Sequence, residues 1–91
     1  MIEGTDKLKF ANLDFESKKL DDEKITWLSA CLNKCPNIES LYLNLGKNSI
    51  TGKGVQELFI PIKSMKNLKS LTLNFDKNPL GDEGKKLVEE F

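Results

Sequence analysis

The sequence predicts an α/β protein in which three strand–helix units stack into a solenoid. When the chain is shifted against itself by 30 residues, most of its apolar positions coincide without a gap. Within each unit the apolar spacing changes from two residues, as in a strand with one buried face, to three or four, as in an amphipathic helix. The units span residues 8–37, 38–67 and 68–91, and residues 1–91 are expected to form a single domain.

Each unit begins with a short segment in which apolar and polar residues alternate, and this alternation predicts a strand. The apolar positions are Ala11, Leu13 and Phe15 in the first unit, Leu41, Leu43 and Leu45 in the second, and Leu71, Leu73 and Phe75 in the third. Because each following helix returns the chain to the same end of the sheet, the three strands are expected to be parallel. The strands should line a concave face and the helices a convex face, since a helix is wider than the spacing between strands.

The helix of each unit is predicted to begin at residues that cap a helix or complement its dipole. These residues are Asp21 or Asp22 with Glu23 in the first unit, Thr51 in the second, and Asp82 with Glu83 in the third. Pro61 interrupts the second helical pattern, because proline has no amide proton and its ring clashes with the carbonyl four residues earlier. The second helix is therefore expected to stop or kink near Ile60.

The strand and the turn that follows it carry a recurring motif. It reads Leu43-x-Leu45-x-x-Asn48-x-Ile50 in the second unit and Leu73-x-Phe75-x-x-Asn78-x-Leu80 in the third, each followed by a glycine and a helix. This motif resembles the leucine-rich-repeat family, and the length of the unit resembles the ribonuclease-inhibitor-like subclass. The resemblance implies that Asn48 and Asn78 bond to the backbone of neighbouring units as a ladder, and that Lys18 leaves the first unit without this rung.

The charged residues narrow the classes of function. The chain of 91 residues has 14 lysines and 14 acidic residues, so its formal net charge is zero, and it has neither arginine nor histidine. Without arginine forks or excess positive charge, we expect no nucleic-acid binding and no polybasic contact with a membrane. Without histidine, the commonest metal ligand and acid–base group near neutral pH, we expect no metal site, no cofactor and no enzymatic activity.

Several shorter features have structural interpretations. The sequence has no secretory signal and no apolar run of the roughly 20 residues that cross a bilayer, so a soluble cytoplasmic protein is expected. The spacing of Cys31 and Cys35 suits neither a redox motif nor a zinc site, and we expect small buried helix residues. The glycine-rich residues 50–54 are interpreted as a strand-to-helix turn, not a phosphate loop. Trp27 either marks a contact site on the convex face or packs partly against the next helix.

The outward strand positions are the candidate binding surface, because the core occupies the inward positions. The predicted contact residues are Asn12, Asp14, Glu16, Tyr42, Asn44, Thr72, Asn74 and Asp76. In this hypothesis Tyr42 is an aromatic anchor, flanked by hydrogen-bonding asparagines that recognise a protein partner. The alternative for the same face is a solvated sheet surface without a partner.

The favoured function is a non-catalytic protein-interaction module whose affinity accumulates over the repeats. A structural alternative is self-association, because the uncapped ends expose strand edges and core residues. The chain would then form homo-oligomers through its ends or complete a larger solenoid. The family resemblance alone suggests a third and weaker alternative, a regulator of a small GTPase or of another enzyme.

Overall fold

The computed structural model describes residues 8–90 as an alternation of strands and helices. The strands are β1 (Phe10–Asp14), β2 (Ser40–Asn44) and β3 (Ser70–Asn74), and the helices are α1 (Asp22–Asn33), α2 (Gly52–Lys63) and α3 (Gly81–Glu90). Each strand begins 30 residues after the one before it. The predicted α/β alternation is confirmed.

The three strands form one parallel sheet in the order β1-β2-β3. The register is constant, since Leu13 lies opposite Leu43 and Leu43 lies opposite Leu73. Side chains at equivalent positions therefore form rows across the sheet, and alternate rows face opposite sides. The parallel arrangement expected from the sequence is confirmed.

The helices pack side by side, α1 against α2 and α2 against α3. Asp21 caps α1, because its carboxylate accepts a hydrogen bond from the Lys24 amide at 3.0 Å. Thr51 caps α2, because its hydroxyl oxygen accepts a hydrogen bond from the Lys53 amide at 3.3 Å. Acidic residues occupy the first turn of α3. The three helix starts predicted from the sequence are therefore confirmed.

Of the stop or kink expected near Ile60, the stop is wrong, because α2 continues through Pro61 to Lys63. Pro61 lies in the last turn of α2, where the missing amide costs one intrahelical hydrogen bond, the one to the Glu57 carbonyl. The Pro61 side chain is buried. The Ser64 amide closes the helix by donating to the Pro61 carbonyl at 3.1 Å. Packing against the rest of the protein thus outweighs the local penalty of the proline.

The buried core lies mainly in the middle unit. Its fully buried residues include Ile38, Leu41, Leu43, Leu45, Ile50, Val55, Leu58 and Ile62. Equivalent residues of the end units, such as Leu13 and Leu73, are only partly buried. The middle unit is covered on both sides, whereas each end unit has one neighbour within the described residues. Burial is therefore set by the position of a unit in the stack.

The expectation that both cysteines are small buried helix residues is wrong. Cys31 is exposed, and Cys35 is half-buried and lies beyond the end of α1. The buried stripe of α1 consists of Ile25, Ser29 and Leu32. At 100° of rotation per residue, position 31 points away from this stripe.

Candidate functional site

The sheet presents one outward face, which we call the strand face. Its rows are Phe10–Ser40–Ser70, Asn12–Tyr42–Thr72 and Asp14–Asn44–Asn74. Glu16, Gly46 and Asp76 follow the strands at equivalent positions and extend this face. The structure thus places the predicted contact residues in adjacent rows of one surface.

Three of the predicted contact residues, Glu16, Asn44 and Asn74, bond to one another within the protein. Asn44 is only 7% exposed, and its side-chain amide donates to the Glu16 carboxylate at 3.2 Å. The Asn44 side-chain oxygen accepts hydrogen bonds from the Asn74 side-chain amide and from the Gly46 backbone amide, both at 3.0 Å. We call this line of side chains, Glu16–Asn44–Asn74, the outer ladder. It joins the three units, so Asn44 contributes to the stack more than to an open surface.

Aromatic side chains mark the end of the strand face where the strands begin. Phe10 is 71% exposed, and Tyr42 in the next row is 38% exposed. The two residues lie on neighbouring strands, offset by two positions, and therefore share one face of the sheet. The predicted contact set contains Tyr42 but lacks Phe10, because the alternating pattern is clearest from Ala11 onward. Since β1 begins at Phe10, extending the alternation by one residue would have found it.

Acidic side chains mark the end of the strand face where the strands finish. Asp14, Glu16 and Asp76 are all exposed. The Lys47 ammonium lies 3.9 Å from the Glu16 carboxylate. This ion pair is exposed to solvent and therefore contributes little energy. The strand face thus combines an aromatic end with an acidic end.

A second line of hydrogen bonds, the inner ladder, joins the turns after the strands through Asn48 and Asn78. The Asn48 side-chain oxygen accepts from the Lys18 and Leu20 backbone amides, both at 3.0 Å. Its side-chain amide donates to the Phe15 carbonyl of the preceding unit at 3.0 Å. Asn48 therefore satisfies backbone groups of the first unit that would otherwise lie unpaired beside the core.

Asn78 repeats this arrangement one unit later. Its side-chain oxygen accepts from the Ile50 amide at 3.0 Å, and its side-chain amide donates to the Leu45 carbonyl at 2.7 Å. In every unit the turn has a non-glycine residue in the left-handed region at the same position. These residues are Ser17, Lys47 and Lys77, with φ angles of 56°, 57° and 61°. This left-handed position thus recurs in all three units, whereas the turn of the first unit, which has no ladder asparagine, has a second left-handed residue, Lys19, with a φ angle of 59°.

The first unit has an apolar cavity of about 210 Å³, lined by Phe15, Leu20, Lys24, Trp27 and Leu28. Trp27 is 65% exposed. This exposure favours the interpretation of Trp27 as an accessible residue of α1 over burial against the next helix.

The fold defines the class of this protein as a parallel α/β stack of three strand–helix units. Within residues 8–90, no three histidine, cysteine or acidic side chains are grouped so that they could hold a metal ion. In the same range, every helix is too short or too polar to cross a bilayer. The sequence matches no family model, and no significant match was found among curated proteins or among solved structures.

Proposed function

We propose that the chain is a short leucine-rich-repeat solenoid that acts as a non-catalytic protein-interaction module and binds its partner through the strand face. The exposed aromatic pair, Phe10 and Tyr42, is the observation that carries the binding proposal. Aromatic residues are enriched at protein interfaces because they bury a large area with few rotatable bonds. The repeat proposal is supported by the constant 30-residue register and by the two asparagine ladders.

The proposed contact surface keeps most of the residues predicted from the sequence and adds Phe10. Its members are Phe10, Asn12, Asp14, Glu16, Tyr42, Thr72 and Asp76. Asn44 and Asn74 support this surface from within, because their side-chain amides bond to neighbouring units. Asn44 and Asn74 thus hold the contact residues in position and need not touch the partner themselves.

The chemistry of the surface indicates what a partner carries. An apolar side chain would cover Phe10 and Tyr42, and lysine or arginine side chains would complement the acidic end. Three strands offer only about half of the roughly 800 Å² that a standard interface buries on each partner. A short basic segment with an apolar anchor therefore fits the strand face better than a large globular surface.

Paired variants test this proposal. Phe10→Ser with Tyr42→Ser removes the aromatic pair, whereas Ile60→Ser removes an exposed apolar residue of α2 as a control. A partner identified with the wild-type chain should bind the double variant at least about 2 kcal/mol more weakly, and bind the control normally, in calorimetric titrations. A partner that ignores the aromatic substitutions but is lost with Ile60→Ser would contradict the proposal.

The acidic end has its own test. Glu16→Gln with Asp76→Asn removes two charges and keeps an oxygen that accepts the Asn44 hydrogen bond. For a basic partner we expect weaker binding and a smaller loss of affinity with added salt, because fewer charges are screened. Equal salt dependence for both proteins would exclude a role of the acidic end in recognition.

A second candidate function is that of an element in a larger stack. The partial burial of Leu13 and Leu73 favours it, since the same position in the middle unit, Leu43, is fully buried. This candidate includes association of chains through their ends.

A further inference from the structure

We propose that the C-terminal end of the stack, formed by β3 and α3, is a docking surface for a further strand–helix unit built like the second unit. The inference rests on the second candidate function and specifies its partner. The added unit carries asparagines equivalent to Asn44 and Asn48, a threonine equivalent to Thr51 and a glycine equivalent to Gly54. The first unit of another copy of this chain has none of these four residues.

In both ladders, the side-chain amides donate hydrogen bonds in one direction, from a later unit to the unit before it. In the outer ladder the asparagine of the later unit donates its side-chain amide to the unit before it, Asn44 to Glu16 and Asn74 to Asn44. The inner ladder runs the same way. The side-chain amides of both ladders therefore donate towards the N-terminal end, whereas backbone amides of the earlier unit donate towards the C-terminal end. At the C-terminal end, the Asn74 side-chain oxygen accepts a hydrogen bond from the Asp76 backbone amide. The asparagine of an added unit would donate a second hydrogen bond to this oxygen, as Asn74 does to Asn44.

The third unit also has unpaired backbone amides at the C-terminal end. The Leu45 amide donates to the Asn74 carbonyl at 2.8 Å, and the Lys47 amide donates to the third unit at the same distance. Phe75 and Lys77 hold the matching positions at the C-terminal end, and their amides meet no acceptor within residues 8–90. Unpaired amides at a sheet edge are the groups that an added strand uses.

The helices show which residues an added unit needs. The Asp22 carboxylate of α1 accepts hydrogen bonds from the Thr51 backbone amide, at 2.9 Å, and from the Thr51 hydroxyl. Gly54 lies so close to this carboxylate that a Cβ there would overlap it. Asp82 is equivalent to Asp22 two units later and is exposed on α3. It is placed to accept the same hydrogen bonds from a threonine of an added unit.

The N-terminal end lacks the matching donors. Asp14 and Lys18 stand where the later units have asparagine, so the first unit has no side-chain amide for a unit before it. Lys24 stands at the position of Gly84, where a Cβ would come within 2.9 Å of the Gly52 Cα. A lysine at this position prevents a neighbouring helix from approaching as closely.

The difference between the two ends identifies which unit can dock at the C-terminal end. A second copy of this chain would present Asp14, which has no side-chain donor when ionised, Lys18, which has no side-chain oxygen to accept backbone amides, and Lys24, which prevents close helix contact. A unit built like the second one supplies the donors and the glycine. It would also cover the half-buried apolar residues Leu73 and Leu87.

Extending the full chain with its own second unit tests the proposal. Residues 32–67 are appended directly after Phe91, which preserves the 30-residue register because Phe91 is equivalent to Cys31. A control extension appends residues 32–37 followed by residues 8–37, which keeps the length, the linker and the register but presents the first unit.

Hydrogen exchange at the Phe75 and Lys77 amides should slow at least about tenfold with residues 32–67 attached, because docking pairs these amides. The control extension should give no comparable slowing. Asp82→Ala should lower the denaturant midpoint of the chain extended with residues 32–67 more than that of the original chain, where Asp82 only complements the dipole of α3. Unchanged exchange at both amides, equal slowing in both extensions, or an equal effect of Asp82→Ala in both chains would overturn the proposal.

The oligomeric state of the original chain separates this proposal from the second candidate function. Sedimentation should show a monomer at every concentration, because its two ends do not match. Chains that stack head to tail, with protected Phe75 and Lys77 amides, would support the candidate function and overturn the requirement for a unit of the second type.

Discussion

Replacing Asn48 with alanine tests whether the inner ladder holds the first two units together. Asn48 is buried, and its side-chain oxygen accepts from the Lys18 and Leu20 amides. Neither amide has another acceptor among the described residues. Truncation leaves both part-buried amides without a protein partner, so we expect the free energy of unfolding to fall by about 2 to 3 kcal/mol.

This loss is large for a chain of 91 residues, because a domain of that size has a total free energy of unfolding of about 5 to 14 kcal/mol. For small domains such a change lowers the midpoint of thermal unfolding by roughly 10 to 20 °C. Denaturant titration followed by circular dichroism measures the free energy, and a thermal scan measures the midpoint.

Asn78→Ala is the matched control, since it removes the same side chain from the end of the stack. Asn78 is half-buried and accepts from one backbone amide of the preceding unit, that of Ile50. Water replaces this partner more easily, so we expect a loss of about 1 kcal/mol. Equal losses for the two variants, or a loss below about 0.5 kcal/mol for Asn48→Ala, would refute the argument that the ladder stabilises the stack through satisfied amides.

Other substitutions and reagents test separate parts of the structure. Gly54→Ala should destabilise the protein by about 1 to 3 kcal/mol through overlap with the Asp22 carboxylate and the Ile50 side chain, and the penalty should shrink in an Asp22→Ala background; equal penalties would exclude the Asp22 contact as a cause. Trp27 should be quenched efficiently by acrylamide, and its emission should change little on unfolding, because it is mostly exposed; a large blue shift in the folded protein would contradict this. Burial and the neighbouring Cys31 raise the pKa of Cys35, which lowers the fraction of Cys35 present as thiolate. Iodoacetamide at pH 8 should therefore modify Cys31 faster than Cys35, as measured by mass spectrometry. The reverse order would contradict the assigned exposures.

The sequence was sufficient for the order of elements, the direction of the strands and the register. Each of these follows from one 30-residue shift, which aligns Leu13 with Leu43 and Leu73 in the sequence and pairs them in the sheet. The shift works because every unit directs the same positions towards the core, so the apolar positions repeat as well. Caps such as Thr51 were equally predictable, because a cap depends on residues next to it in the chain.

Features that depend on contacts between units could not be predicted in the same way. Alternation places Asn44 outward, but the side chains that bond to it, Glu16 and Asn74, come from the neighbouring units. Pro61 is tolerated because it is buried in the last turn of α2, and its local sequence carries no information on that burial. The period of a sequence identifies which positions are equivalent, whereas the burial of each one depends on its neighbours.

The outer ladder also determines how the strand face can be tested. Combining Tyr42→Ala with Asn44→Ala would remove an exposed ring together with a side chain that bonds to two other units. A loss of binding in that double variant would then report either a missing contact or a loosened sheet. Phe10 and Tyr42 have no part in the ladders, so substituting them removes contact area and leaves the ladder hydrogen bonds in place. Binding through the strand face is therefore measured at the aromatic end, and the stability of the stack is measured at the asparagines.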